Sequence, residues 1–262
     1  METGSITTYM DVAQVVLYAF WIFFAGLIYY LHRENKREGY PLESDLTELS
    51  GGRIVVEGFP PVPPPKSYRL HDGSIVQKPD HKVDTRLLRA LPVAPWPGAP
   101  LQPTGNPMLD GVGPGAYAQR ADVPDLTPEG EPKILPLRAL SAFALDERDP
   151  DPRGMAVVAV DGGAAGEVCD VWIDQSELLI RYLEVRLPSS ETEQRVLLPL
   201  NFARVDGRRR RVLVDAITAA QFSQVPALRQ PDRITFLEEE RIVAYFGGGK
   251  LYAWPGRVES LL

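Results

Sequence analysis

Apolar and polar residues follow three different patterns along the chain. The first is an unbroken apolar run from Val12 to Leu31, VAQVVLYAFWIFFAGLIYYL, in which tyrosines are the only ionisable side chains and Gln14 is the only strongly polar one. Helix of this length spans roughly 30 Å, the thickness of a bilayer's hydrocarbon core. The run predicts a transmembrane helix over 12–32, preceded by a short segment, 1–11. Tyr29 and Tyr30 close it, where amphipathic rings favour the headgroup level, and His32-Arg33-Glu34-Asn35-Lys36-Arg37 follows. No Lys or Arg precedes the run, so the positive-inside rule puts the N-terminus outside and the rest of the chain in the cytoplasm. A cleaved signal peptide would carry a basic n-region and a shorter apolar core. The run holds no charge, which favours an anchor over an ion pathway.

The second pattern is scattered. Residues 41–136 hold 18 of the 25 prolines, with isolated apolar residues Ile54, Val55, Val56, Tyr68, Leu87, Leu88, Trp96 and Tyr117 between them. Dense proline forbids helices and central strands. A disordered polyproline spacer and an extended segment ordered along another surface both fit. Residues 33–110 are read as an extended proline-rich segment at the membrane surface, and 111–262 as a β-rich domain.

The third pattern is short and alternating, and begins after about Ser141. Met155–Val160, Glu167–Ile173, Ile180–Leu187, Arg195–Leu200 and Arg211–Ile217 read as five strands, with Asp206-Gly207 as a hairpin signal. They predict a small antiparallel barrel or sandwich. Ile234–Phe246 has the spacing of a closing amphipathic helix, and a tail follows.

Composition narrows the chemistry. A net charge of −7 argues against a nucleic-acid partner. One cysteine, Cys169, and three histidines exclude a disulfide framework and a cysteine-based or multi-histidine metal centre. Gly247-Gly248-Gly249-Lys250 is followed by Leu251, so it is not a P-loop, and no nucleophile-elbow or zinc-protease motif occurs. The run Arg208–Arg211 reads as a solvated loop or an anionic-lipid contact. Asp174-Gln175-Ser176-Glu177 resembles a helix cap, with Arg181 at ion-pair spacing from Glu177 if the turn is helical. Asp122, Asp125, Glu129 and Glu131 form a second acidic group, and Glu238-Glu239-Glu240 a third. By pattern alone all three read as structural or solvated.

Several runs are more specific. Phe20-Trp21-Ile22-Phe23, Ala25 to Leu31, Arg37-Glu38-Gly39-Tyr40-Pro41-Leu42, Pro103-Thr104-Gly105-Asn106-Pro107-Met108, Asp110 to Pro114 and Tyr245 to Ala253 together resemble the H subunit of the purple-bacterial photosynthetic reaction centre. The resemblance runs from the apolar helix to the C-terminal region. It implies a PRC-barrel in the cytoplasm, a single-pass anchor in the bacterial inner (intracytoplasmic) membrane, and a periplasmic N-terminus. It implies a non-catalytic subunit that caps the L and M subunits and conducts protons to the secondary quinone. Bacteriochlorophyll, bacteriopheophytin, quinones and non-haem iron would sit in those partners and not in this chain. A cytochrome subunit, light-harvesting antenna and cardiolipin-like lipids are the further neighbours implied.

Carried over by position, Glu177 matches a buried glutamate near the secondary quinone, with Asp174 and Arg181 beside it. Lys133 matches a lysine in the proton-uptake loop, and Glu239 an acidic position in the closing helix. Asp122, Asp125, Glu129 and Glu131 complete the implied path. Arg33, Lys36, Arg37 and Tyr40 are implied headgroup contacts. Some relatives have two histidines where Glu129 and Glu131 stand and an aspartate where Thr127 stands, so no metal site is expected at the mouth. A membrane-anchored PRC-barrel adaptor of some other assembly is the alternative; a tethered hydrolase has no catalytic constellation to support it.

Overall fold

A computed structural model describes all residues except 1–4, 8–9, 41, 44–54, 72, 82–83, 97–98, 189–193 and 258–262; Pro41 and Ile54 of the sequence reading lie outside the described residues. The chain divides into two compact units, Met1–Arg86 with Pro95–Ala99, and Leu87–Ala94 with Pro100–Leu262.

In the first unit, strands β1 (Ser5–Thr7) and β2 (Met10–Asp11) pair just before helix α1 (Val12–Asn35). Asp11 caps the helix: its carboxylate accepts from the Gln14 N–H at 2.7 Å, and the Gln14 side chain returns to the Asp11 N–H. This satisfies donors that lipid could not. At 24 residues the helix is about 36 Å long, and none of its residues is buried within the chain. It is the one described helix long and apolar enough to cross a membrane. It outruns the expected end at residue 32 because His32 and Arg33 suit the negative end of the helix dipole.

Immediately after it, Lys36 is buried, and its ammonium donates to the carbonyls of Glu57 at 2.5 Å and Pro60 at 2.6 Å, 5.0 Å from the Tyr40 ring centre. Arg37 forks onto Glu34 and donates to the carbonyls of Pro64 and Lys78. These two cations tie the proline-rich chain to the helix end. Two small antiparallel ribbons follow, β3 (Leu42–Glu43) with β4 (Val55–Val56) and β5 (Lys66–Arg69) with β6 (Ile75–Lys78). The apolar side chains here mostly point outward: Phe59 is 81% and Ile75 70% exposed.

The second unit begins with ribbon β7 (Ala90–Pro92) and β8 (Leu101–Pro103) and the single-turn helix α2 (Pro107–Asp110). Asn106 caps α2 through the Met108 N–H, Pro107 opens it, and Gly111 closes it at φ +69°. Seven further strands form one sheet: β9 (Ile134–Pro136), β10 (Ala156–Val158), β11 (Ala164–Asp174), β12 (Leu179–Arg186), β13 (Arg195–Pro199), β14 (Ala203–Asp206) and β15 (Arg211–Val214). Their order is β13-β12-β11-β10-β15-β14, with β9 on the end of β11. β13 and β14 lie at opposite ends of this path, yet a single turn, Leu200–Phe202, joins them. The sheet must therefore curl back on itself, which makes it a barrel. Trp172, Leu183, Leu197, Val212, Ile242 and Phe246 are among the buried side chains of its apolar core.

Two strands exceed the five read from sequence. β9 is hidden by Pro132 and Pro136, and β14 by its short, half-exposed ARVD pattern. The sheet is antiparallel as expected except for one pair, β10 and β15, which run in parallel.

Helix α3 (Phe236–Tyr252) starts at a Thr235 capping box and runs through Gly247-Gly248-Gly249, past the expected end at Phe246. A Cβ on Gly248 would sit 3.1 Å from Gly115 Cα, and one on Gly249 2.4 Å from Ile217 Cγ2. The glycines let the helix backbone lie against 107–115 and 216–217, so here they serve close packing rather than a turn.

Candidate functional site

The long strands β11 and β12 meet in the turn 175–178, which carries Glu177 at its tip. Asp174, the last residue of β11, is 1% exposed; its Oδ1 accepts from the N–H groups of Ser176 and Glu177, each at 3.0 Å. The capping half of the sequence expectation is thus present, but as a turn between strands and not a helix. Leu178 takes φ +55° to close it.

Opposite the turn, the loop 125–133 folds tightly. Thr127 N–H donates to the Glu131 carbonyl at 2.8 Å, and Lys133 N–H to the Asp125 carbonyl at 2.8 Å. Gly130 at φ +88° turns the tip, where Glu129 and Glu131 are exposed. This geometry aims Lys133 at three carboxylates: Asp174 Oδ2 at 3.3 Å, Glu177 Oε1 at 3.3 Å and Asp125 Oδ2 at 3.8 Å. Burial alone would lower the Lys133 ammonium, but hydrogen bonds from it to Glu177 and Asp174 outweigh burial and hold its pKa above the ordinary value.

Arg181 is not part of this group. Because the turn is not helical, the expected Glu177–Arg181 pair does not form; Arg181 Nη2 lies 3.9 Å from Glu239 Oε2 on α3. Glu239 also accepts a hydrogen bond from Tyr182 Oη at 2.7 Å. Burial pushes the Glu239 carboxyl above its ordinary value, against the opposing pull of Tyr182 and Arg181. Asp122 stands apart at the start of α3, accepting from Thr235 Oγ1 at 2.8 Å and paired with Arg229. Glu177 itself is half-exposed in the isolated chain, in contrast to the buried position its resemblance implied.

The sequence reading missed one cluster. Asp170 and Glu184 face each other across β11 and β12. Two carboxylates directly opposite repel, and Arg138 bridges them with Nη1 at 3.0 and 2.5 Å. Glu184 also accepts from Trp172 Nε1 at 2.9 Å and Arg195 Nη1 at 3.2 Å. The signal was an acidic residue set within each of two otherwise apolar strand runs, EVCDVWI and YLEV. A cavity of about 330 Å³ beside this cluster lies at the lower end of small-molecule pockets, and its guanidinium groups are already paired. Among the described residues no group of three His, Cys, Asp or Glu side chains is placed to hold a metal ion.

An apolar helix long enough to span a membrane, outward-facing apolar side chains after it and a curled seven-strand sheet with a packed helix are the features of a membrane-anchored PRC-barrel protein, and residues 146–221 match the PRC-barrel domain family. Residues 4–139, more than half of the chain, match the family described as photosynthetic reaction centre, H-chain N-terminal region. The chain belongs to the reaction-centre H-chain family. It is a subunit of a photosynthetic reaction centre, a membrane complex whose pigments and quinones reside in other subunits, and the family implies association with the L and M chains.

Proposed function

We propose that this chain caps the cytoplasmic face of the L and M subunits, shields the quinone sites from water, and conducts protons to the secondary quinone without catalysis of its own. The N-terminus would be periplasmic and the barrel cytoplasmic, in keeping with the basic residues after α1. Arg33 and Tyr40 would meet lipid headgroups, while Lys36 and Arg37 serve mainly to hold the chain at the helix end.

The Lys133-centred carboxylate cluster carries this reading. Quinone reduction in a low-dielectric site requires protons, which must come through the cap. Asp125, Glu129 and Glu131 present carboxylates at the surface; Lys133 pairs with Asp125, Asp174 and Glu177. One ammonium thus brings carboxylates of the loop and of the β11–β12 turn together, which supports a path from the loop to Glu177. The exposure of Glu177 and Leu178 in the chain alone supports a turn that a partner subunit covers.

The material co-purifying with the chain is expected to show near-infrared bacteriochlorophyll absorption. In that complex Glu177→Gln keeps shape and removes one titrating group. The expected result is slower proton-coupled transfer of the second electron, with charge separation and reduction of the first quinone unchanged. An unaltered second-electron rate would remove Glu177 from the path.

A further inference from the structure

Glu239 on α3 is a largely buried carboxylate, its side chain 13% exposed, and it accepts a hydrogen bond from one hydroxyl. Tyr182, on β12, is 2% exposed, and its Oη lies 2.7 Å from Glu239 Oε2. We infer that Tyr182 and Glu239 form a proton-holding pair in which Tyr182 is the positioning residue, fixing the Glu239 carboxylate and setting the pH at which it takes up a proton. This rests on the proton-conducting reading above.

The groups facing Glu239 come from every element packed on it. Arg181 and Tyr182 belong to β12, Arg120 and Asp125 to the chain between 115 and 133, and Glu240 to α3 itself. Arg120 is drawn toward Glu240 at 3.7 Å and lies 4.1 Å from the Phe236 ring centre, so it does not neutralise Glu239 alone. Burial and Asp125 favour the protonated carboxyl; Tyr182, Arg181 and Arg120 favour the carboxylate. These influences oppose one another, which is what a group that both holds and releases a proton requires. Tyr182 has a different role, because burial and the charge on Glu239 push its own hydroxyl well above the ordinary tyrosine value. It stays a donor at all working pH and passes no proton on. Asp125 also lies 3.8 Å from Lys133, so the charge that disfavours ionised Glu239 belongs to the Lys133 cluster.

The test is an infrared pH titration, in the dark, of the intact complex, following the protonated-carboxyl band that Glu239→Gln abolishes. Tyr182→Phe should move the midpoint of that band upward by roughly one pH unit, the worth of one hydrogen bond to a charged group. Tyr182→Phe in the Glu239→Gln background should change nothing further in the band. Fluorotyrosine incorporation keeps the ring and strengthens the donor, and should move the midpoint downward. A merely structural tyrosine would lower thermal stability and leave the midpoint in place; that result, or a Glu239→Gln complex that loses no band, overturns the inference. The dark titration uses no quinone turnover, so its outcome is separable from the flash kinetics that test proton delivery.

Discussion

Glu184 shows how a single side chain can hold an ionic interior together. Its carboxylate, 4% exposed, receives Arg138, Arg195 and Trp172. Burial pushes this carboxyl up, but the hydrogen bonds from Arg138 and Trp172 outweigh burial and hold its pKa below the ordinary 4.5. A depressed carboxylate contributes stability above the unfolded value and loses it as pH falls through the folded value. Barrel stability is therefore expected to drop as pH falls below about 4.5, and Glu184→Gln should remove that dependence along with about 3 kcal/mol at neutral pH. Chemical denaturation at several pH values measures both. By type and spacing Asp174 and Glu177 read only as a capping pair, and their place in a site came from the resemblance. Their partner was not legible, since Lys133 reaches them only through the fold of a loop some forty residues earlier.

At the scale of elements, α3 depends on the absence of side chains. An alanine at Gly249 favours helix by about 1 kcal/mol, but its Cβ would meet Ile217 at 2.4 Å and the Ala216 carbonyl at 2.7 Å. Overpacking wins, and Gly249→Ala is expected to destabilise by about 2 kcal/mol, visible as a lower thermal midpoint of the complex. A neutral or raised midpoint would mean that α3 does not lie this close to the barrel. The sequence reading ended the helix at Phe246, before those glycines, because propensity is local and close approach is tertiary. The apolar run was legible as one long helix because the requirement there is local, one apolar residue at a time. β9 was missed for the opposite reason: Ile134–Pro136 is too short to alternate, and only pairing with Trp172–Asp174 makes it a strand. At the end of α1, Lys36→Met leaves the carbonyls of Glu57 and Pro60 without their charged donor. Limited proteolysis of the membrane-bound chain should then cut faster near residues 57–65 than in the wild type, with the barrel fragment still protected.

At the scale of the whole molecule, the two units differ in what holds them. The barrel unit has its own apolar core, whereas the anchor unit keeps few apolar side chains from solvent and ties its backbone through Lys36 and Arg37. A chain of that kind completes its burial against other subunits, which agrees with a member of the reaction-centre H-chain family. The central claim is that protons reach the secondary quinone through the carboxylates gathered on Lys133. The most direct measurement is proton uptake after the second flash, followed with a pH-indicator dye in complexes carrying Asp174→Asn together with Glu177→Gln. The account predicts uptake and second-electron transfer slowed together by at least the Glu177→Gln factor, with the first-flash electron transfer unchanged. Uptake at the wild-type rate in a fully assembled double variant would contradict it.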